Sequence, residues 1–200
     1  MPAESWDEEA GQQPAPPDQR PPKRKQKERS ALRSVTELVG IFVGAVIVAW
    51  LLQAFVIKPF QIPTASMEQT IDIGDRILVN RLAYRFGEIQ RGDIIVFKSP
   101  TDPSVDYVKR VIAVGGDTVE IVRGQVFVNG QPIIEPYVVG PHDVSSFAQQ
   151  TVPQGTLFMM GDNRTDSEDS RYWKPPWLPV ENVIGKAMFT YWPPDRLGTL

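Results

Sequence analysis

Residues 107–114, which read Tyr-Val-Lys-Arg-Val-Ile-Ala-Val, decide the fold because they alternate like a strand with two buried faces. With a side-chain period of two, Lys109 shares one face with Tyr107 and Val111, and Arg110 lies on the opposite face. Both faces are otherwise apolar, so each cation must be at least partly enclosed. An enclosed arginine needs an anion because it cannot lose its proton, whereas an enclosed lysine can become neutral.

Short runs rich in β-branched and aromatic residues surround this strand at a spacing of roughly ten residues. Arg123-Gly124 and Asn129-Gly130 predict tight turns between successive strands. Residues 137–155 are expected to form a loop with little regular structure. The pattern predicts a mainly β, antiparallel and barrel-like domain, with further strands at 75–80, 93–98, 118–122, 125–128, 157–160 and 183–191.

A continuous apolar run, residues 38–57, precedes the β-rich region. Its twenty residues, at about 1.5 Å each, span roughly 30 Å, which matches the hydrocarbon core of a bilayer. Seven lysines and arginines precede the run and only Lys58 closes it, which predicts a cytoplasmic N-terminus. We therefore predict a disordered cytoplasmic tail at 1–36, a transmembrane helix at 37–58 and an extracytoplasmic domain at 59–200. The expected location is the cell membrane, with a single pass.

The composition disfavours several kinds of site. The chain has no cysteine, so it has no disulfide, no thiol nucleophile and no cysteine-ligated metal. Its single histidine, His142, disfavours a histidine-based zinc site and leaves only one imidazole for a Ser-His-Asp arrangement. A net charge of −3 gives no indication of nucleic-acid binding. We expect no metal, no cofactor and no nucleic-acid partner.

A candidate nucleophile lies just beyond the apolar run, in the segment 62–67, Ile-Pro-Thr-Ala-Ser-Met. Pro59 and Pro63 disfavour helix and predict an extended backbone that leaves the hydroxyl of Ser66 open to a substrate strand. A serine needs a base at neutral pH, and with the histidine in a turn-rich loop, Lys109 is the remaining common choice. Lowering a lysine pKa from about 10.4 to about 8 corresponds to roughly 3 kcal/mol, which burial can supply.

A third segment, residues 160–173, reads Met-Gly-Asp-Asn-Arg-Thr-Asp-Ser-Glu-Asp-Ser-Arg-Tyr-Trp. It interleaves acids, arginines and hydroxyls between apolar strands, which indicates a rigid polar scaffold. In chain order, residues 63–67, residues 107–111 leading to Gly116-Asp117, and residues 161–171 closely resemble the motifs of type I signal peptidase. The resemblance covers the chain from about residue 35 to residue 193.

This resemblance implies a membrane-tethered serine endopeptidase, a hydrolase with a Ser-Lys dyad. Ser66 would be the nucleophile and Lys109 the general base. The hydroxyl of Thr64 would join the Ser66 N–H in the oxyanion hole, and Ser167 would hydrogen-bond and orient the Lys109 amine. Two ion pairs would support the dyad, Asp162 with Arg110 and Asp169 with Arg171.

Family substrates are secretory pre-proteins cleaved after small residues at −1 and −3, so the expected partners are signal peptides and the lipid bilayer. By resemblance, two small pockets would be lined by Phe60, Ile62, Met67, Ile71, Ile77, Tyr107 and Val108. One departure is Gln69, which stands where the family usually has proline. Two alternatives stay open: a related Ser-Lys peptidase that processes a dedicated substrate, and a non-catalytic, membrane-anchored β-domain that binds peptides.

Overall fold

Two antiparallel β-sheets form the folded part of the chain, and a computed structural model describes residues 36–51, 56–140 and 143–200. Besides the strands, the described residues form a helix at 36–51 (α1), a short helix, α2 (Ala83–Phe86), and two 3-10 turns at Val180–Asn182 and Pro194–Arg196. The strands are β1 (Ile57–Gln61), β2 (Arg76–Asn80), β3 (Ile94–Lys98), β4 (Asp106–Val114), β5 (Thr118–Val122), β6 (Gln125–Val128), β7 (Gln131–Pro132), β8 (Phe147–Thr151), β9 (Thr156–Met160), β10 (Leu178–Pro179), β11 (Val183–Trp192) and β12 (Gly198–Thr199).

The larger sheet has the strand order β1-β2-β11-β3-β4-β9-β10, and β12 pairs with β11. Every pairing in it is antiparallel. The prediction of a mainly β, antiparallel fold is confirmed. The sheet curls into a half-barrel. It is not a closed barrel, because its two end strands, β1 and β10, do not pair with each other.

The smaller sheet has the order β7-β6-β5-β8. Its two hairpin turns carry positive φ values at Arg123 (47°) and Asn129 (53°), each followed by glycine, as the sequence predicts. The expectation of an unstructured 137–155 segment is wrong at β8, which pairs with β5. This edge strand is mostly exposed and polar, so it lacks the apolar alternation by which strands are recognised.

Three apolar clusters form the core, and β4 contributes to all of them. Ile112 packs between the two sheets, Val111 lies in the cluster with Trp173, and Val108 packs against the cluster that includes Met67. The neighbouring strand β3 is buried on both faces, which explains its continuous apolar run. The strand that carries Lys109 and Arg110 is therefore held rigidly from several sides.

At the N-terminal end, residues 36–51 are helical (α1) and their side chains are exposed. No helix within the described residues is long and apolar enough to cross a membrane. The predicted disordered tail lies almost wholly outside the described residues, as do residues 52–55 of the predicted transmembrane segment.

Candidate active site

Ser66 lies in a turn that immediately follows the edge strand β1. The turn, residues 64–70 and hereafter the Ser66 turn, departs from the extended backbone that the prolines predict: the chain bends at 64–65 and turns over 66–70. Hydrogen bonds from Glu68 N to Ala65 O (2.9 Å) and from Ile71 N to Met67 O (2.8 Å) close it. Ser66 is only 8% exposed.

Lys109 meets Ser66 from the middle of β4. Its Nζ donates a 2.5 Å hydrogen bond to Ser66 Oγ and lies 5.3 Å from the centre of the Tyr107 ring. The lysine is 3% exposed, and no carboxylate of the described residues lies within salt-bridge distance of Nζ. The site thus contains a buried amine whose hydrogen-bond partner is a neutral hydroxyl.

Burial lowers the pKa of Lys109 to about 8, from an ordinary value of 10.5. The charges of Asp169 and Glu168 act in the opposite direction, but they are too far away to offset the loss of water around the amine. A substantial fraction of the lysine is therefore neutral near pH 8. A neutral amine at 2.5 Å from a hydroxyl can accept its proton.

The polar loop, residues 161–171, is built around Asp169. This carboxylate is completely buried and pairs with Arg171, whose Nε lies 2.8 Å from Oδ1. It also accepts hydrogen bonds from Gly161 N (3.0 Å) and Ser167 Oγ (2.7 Å). The Arg171 guanidinium is nearly buried too, and although burial opposes its charge, the bonds and charge of Asp169 raise its pKa. Five hydrogen bonds, three of them from the backbone N, Nε and Nη2 of Arg171, thus satisfy one buried charge.

Within the described residues, Ser167 makes no hydrogen bond to the Lys109 amine, where the resemblance implies one. Among the described hydrogen bonds its hydroxyl makes one, as donor to Asp169 Oδ2. The carboxylate takes this proton because it is the stronger acceptor. Ser167 still lies close to the dyad, since a Cβ on Gly161 would collide with both the Ser167 side chain and the Ser66 carbonyl. Glycine at 161 is what allows the polar loop to approach the Ser66 turn.

Asp162 pairs with Arg110 through two hydrogen bonds, from Nε to Oδ1 (2.9 Å) and from Nη2 to Oδ2 (2.6 Å). The carboxylate is 1% exposed. Arg110 also lies over the Tyr137 ring at 3.9 Å, and its Nη1 donates to Gly92 O (2.9 Å). The enclosed arginine therefore has the anion that the sequence pattern requires.

Sequence reasoning missed several contacts of the polar loop. Arg164 pairs with Glu135, and Arg171 also binds Asp143 (2.6 Å), so the loop is tied to the segment between β7 and β8. Asn163 Nδ2 donates to the carbonyl of Ala65 (3.1 Å). No local spacing signals these pairs, because their partners are far apart in the sequence.

A second set of ion pairs holds the segment that follows the Ser66 turn. Arg196, in the Pro194–Arg196 turn, contacts Asp72 (2.6 Å) and Asp75 (3.0 Å). These two ion pairs of Arg196 are hereafter the Arg196 clamp. Asp72 also accepts a hydrogen bond from Gln69 N (2.7 Å), so the clamp reaches the Ser66 turn itself. Residues near the C-terminus thereby buttress a turn near the start of the β-domain.

A cavity of about 310 Å³ opens beside Ser66 and Lys109. Thr64, the predicted oxyanion-hole residue, lies on its wall. Five of the seven predicted pocket residues also line it: Phe60, Ile62, Met67, Tyr107 and Val108. Sequence reasoning missed several lining residues, which are Gln61, Pro63, Val96, Val105, Asp106, Asp166 and Glu168. Of the acidic residues among them, Asp166 and Glu168 are exposed and Asp106 is half-buried.

Ile71 and Ile77 do not line this cavity, which corrects the prediction. Both are 0% exposed and belong to the core cluster with Met67. The reason is the Ser66 turn, which folds the chain back so that Ile71 points into the core. Ile77 occupies a buried position of β2, so it supports the cavity wall from behind.

Two further predictions concern groups outside the dyad. His142 lies outside the described residues. Within the described residues, no group of three His, Cys, Asp or Glu side chains is arranged to hold a metal ion. The chemical groups at the cavity include the Ser66 hydroxyl, the Lys109 amine, the Thr64 hydroxyl and the carboxylates of Asp106, Asp166 and Glu168.

The chain is similar in sequence to known proteins of one family. The profile of the family described as "Signal peptidase, peptidase S26" matches residues 35–192. A probable signal peptidase I-1 from Synechocystis sp. is 40% identical over 83% of this chain and 87% of its own length. A signal peptidase I from Leptolyngbya laminosa is 36% identical over 94% of this chain and 93% of its own.

A solved signal peptidase I from Enterococcus faecalis V583 is 32% identical, with a TM-score of 0.45, over 50% of this chain and 97% of that chain. The family match spans most of the chain, including the Ser66 turn, β4 and the polar loop. The curated relatives exceed 30% identity across four fifths of the chain or more. The protein is therefore a serine peptidase that belongs to the signal peptidase family, peptidase S26.

Proposed function

We propose that the protein is a membrane-anchored endopeptidase that removes signal peptides from secretory pre-proteins, with Ser66 as nucleophile and Lys109 as general base. The observation that carries this proposal is the 2.5 Å contact between Lys109 Nζ and Ser66 Oγ, two residues that are both almost fully buried. Burial brings the pKa of Lys109 to about 8, close to a working pH, which is the condition under which a base acts efficiently.

The acylation step follows from these contacts. Neutral Lys109 accepts the Ser66 proton as Oγ attacks the scissile carbonyl, and the carbonyl oxygen becomes an oxyanion. The Ser66 N–H and the Thr64 hydroxyl would donate hydrogen bonds to it. The protonated lysine then gives its proton to the leaving amine, so that the C–N bond breaks and an acyl-enzyme remains on Ser66.

Deacylation uses the same groups in reverse. With its proton gone to the leaving amine, Lys109 is neutral again and can deprotonate a water molecule that attacks the ester. The tetrahedral oxygen returns to a carbonyl as the bond to Oγ breaks, and the proton passes from Lys109 back to Ser66. The carboxylic acid product leaves as the end of the signal peptide.

The shape of the cavity supports a preference for small side chains at −1 and −3. Phe60, Ile62, Met67 and Val108 line the cavity and are packed against a buried core cluster, so they cannot move aside cheaply. A wall of this kind rejects a large side chain sterically and accepts alanine. Signal peptides with small residues at both positions are therefore the proposed substrates.

Membrane anchoring is proposed from the sequence. The apolar run at 38–57 and the basic residues before it favour a single pass with a cytoplasmic N-terminus. This topology would hold residues 59–200 on the outer side of the membrane, where the exported part of a pre-protein emerges. The active site would then meet its substrate close to the bilayer.

The decisive experiment incubates the detergent-solubilised full chain with a pre-protein that carries an Ala-X-Ala site. Mass spectrometry should find a single cut after the second alanine, and Ser66→Ala should abolish it while the protein stays folded. A cut at an unrelated site would favour a peptidase for a dedicated substrate. Full activity in Ser66→Ala would end the serine-peptidase mechanism, and no cleavage by a folded wild-type protein would favour a peptide-binding domain.

A further inference from the structure

The two members of the dyad come from separate segments of the chain, the Ser66 turn and β4. Within the described residues, the hydrogen bond between Lys109 and Ser66 is the only one that joins these segments directly. A proton transfer needs this distance to be held within a few tenths of an ångström. Another part of the molecule must therefore hold the two segments in place.

Asp162 is the side chain that contacts both segments. Thr70, at the end of the Ser66 turn, donates a 2.6 Å hydrogen bond from Oγ1 to Asp162 Oδ2. Arg110, the residue after Lys109 in β4, donates to both oxygens of the same carboxylate at 2.9 and 2.6 Å. The carboxylate is 1% exposed, so water does not compete for these bonds.

We propose that Thr70 is a positioning residue, and that the hydrogen-bond chain Thr70–Asp162–Arg110 sets the distance between Ser66 and Lys109. The proposal rests on the Ser-Lys chemistry put forward above and adds a residue to it. Within the described residues, Thr70 makes no hydrogen bond to the side chain of Ser66 or Lys109, and it is not among the residues that line the cavity. It acts only through the turn that carries Ser66.

The Arg110 end of this chain is fixed. Its guanidinium donates to Gly92 O (2.9 Å) and lies 3.9 Å from the Tyr137 ring, so it cannot follow a displaced carboxylate. Asp162 in turn sits on the polar loop, whose buried ion pairs hold its backbone. The end of this hydrogen-bond chain that is not fixed is therefore the Ser66 turn, and the Thr70 hydroxyl determines how far that turn lies from Asp162.

The two ends of the Ser66 turn are held by different groups. Asn163 N donates to Ser66 O (3.2 Å), and Asn163 Nδ2 donates to Ala65 O (3.1 Å), which holds the start of the turn. Arg196 holds Gln69 through Asp72, but from a direction that does not involve β4. The bond from Thr70, four residues after Ser66, is the one that ties the far end of the turn to the carboxylate that also binds Arg110 in β4.

The test compares Thr70→Val, which keeps the shape and removes the hydroxyl, with Thr70→Ser, which keeps the hydroxyl. Peptide cleavage is measured with the full chain in detergent and an Ala-X-Ala peptide. In Thr70→Val we expect kcat to fall about 10- to 100-fold with KM changed less than about twofold, because geometry and not binding is lost. Thr70→Ser should recover kcat to within about threefold.

Thr156→Val is the matched control, because it also removes a threonine hydroxyl bond (2.8 Å, to Pro153 O) but lies outside the site. It should leave kcat unchanged even if its thermal midpoint falls as far as that of Thr70→Val. If Thr70→Val does not fold, Thr70→Ala serves in its place with the same expected loss.

A kcat within twofold of the wild type in the Thr70 variant that folds would overturn the proposal. A loss expressed as a higher KM, or a loss that Thr70→Ser does not recover, would overturn it as well. These results are distinct from failure of the proposed function. That failure would appear as an inactive wild type or an active Ser66→Ala.

Discussion

Buried charges are compensated in the polar loop but not in the cavity beside Ser66 and Lys109. In the polar loop, Asp169 and Arg171 are each almost fully buried, and each is neutralised by the other and by additional hydrogen bonds. In the cavity, Lys109 is equally buried but has only a neutral hydroxyl as partner. The first arrangement fixes geometry, and the second keeps an amine ready to lose its proton.

The difference extends to the backbone. The polar loop is held by several ion pairs, whereas the Ser66 turn contains a residue with positive φ, Gln69 at 78°. Such a conformation costs a non-glycine residue roughly 1 kcal/mol. A region with well-satisfied charges thus supports a strained one, and the strained one carries Ser66, the proposed nucleophile. The experiments below would break or sharpen this contrast.

The largest effect is expected at Lys109. Both Lys109→Ala and Lys109→Arg should lower kcat/KM by about 10²- to 10⁴-fold, because alanine has no base and arginine stays protonated. Peptide cleavage at pH 8 provides the measurement. An active Lys109→Arg enzyme would mean that Lys109 is not the base.

The same position should show an opposite effect on stability. Lys109→Met should raise the free energy of unfolding at pH 7 by about 1–3 kcal/mol, because a buried, uncompensated charge is removed. Urea unfolding of the wild type and the variant measures the difference. A less stable Lys109→Met protein would show that the amine is compensated after all.

The next effect concerns the polar loop. Asp169→Asn keeps the shape but removes one of the two carboxylates that pair with the nearly buried Arg171, and leaves Asp143 as its remaining anion. Because Arg171 stays partly compensated, we expect a loss of about 2–4 kcal/mol in the free energy of unfolding, at or below the cost of a fully unpaired buried charge. Asp102→Asn is the control, because Asp102 is exposed and its carboxylate accepts hydrogen bonds, within the described residues, only from Ser104. Equal effects of the two substitutions would contradict the role of the polar loop as a charge-neutralised scaffold.

The pH dependence should follow Lys109. Its folded-state pKa of about 8 lies below its ordinary value of 10.5, so the unfolded chain binds more protons between these values. The Lys109 contribution to stability therefore rises with pH across this window and is constant below it. The stability gap between Lys109→Met and the wild type should narrow from pH 8 to pH 10.5. In the wild type, kcat/KM should rise with pH and level off above about pH 8, where Lys109 becomes neutral. A gap that stays constant would refute the depressed pKa.

The smallest effect is expected at Gln69. Gln69→Gly should raise the free energy of unfolding by no more than about 1 kcal/mol, because glycine adopts positive φ without strain. Gln69→Pro should lower it by more than about 1 kcal/mol, because proline cannot reach φ 78° and removes the N–H that bonds to Asp72. Thermal unfolding would measure both. If Gln69→Pro were as stable as the wild type, the turn would not have the conformation described.

Sequence patterns predicted the regular elements well where apolar alternation is strong. The strands at 118–122 and 125–128 have the predicted bounds, and β4 begins one residue earlier than predicted. The enclosure of Lys109 and Arg110 also follows from the alternation in β4. Edge strands such as β8 were missed, because main-chain pairing rather than burial defines them.

The sequence predicted only those site residues that a local pattern or the family resemblance points to, such as Ser66 and Lys109. The orientation of Ile71 depends on how the Ser66 turn folds back, and no residue spacing specifies that. Glu135 and Asp143 were missed because they pair with arginines that lie far away in the sequence. Thr70 carried no signal of its own, although it stands four residues after Ser66 in a turn.

The clamp formed by Arg196 has a consequence for biosynthesis. Because a ribosome makes the chain from its N-terminus, the Ser66 turn emerges long before Arg196 exists to bind Asp72 and Asp75. β12 and Leu200, which packs against the cluster that contains Met67, arrive later still. A nascent chain would therefore carry a serine whose support is incomplete. The contacts that support the Ser66 turn are therefore complete only once residues 196–200 have been synthesised and have folded back onto it.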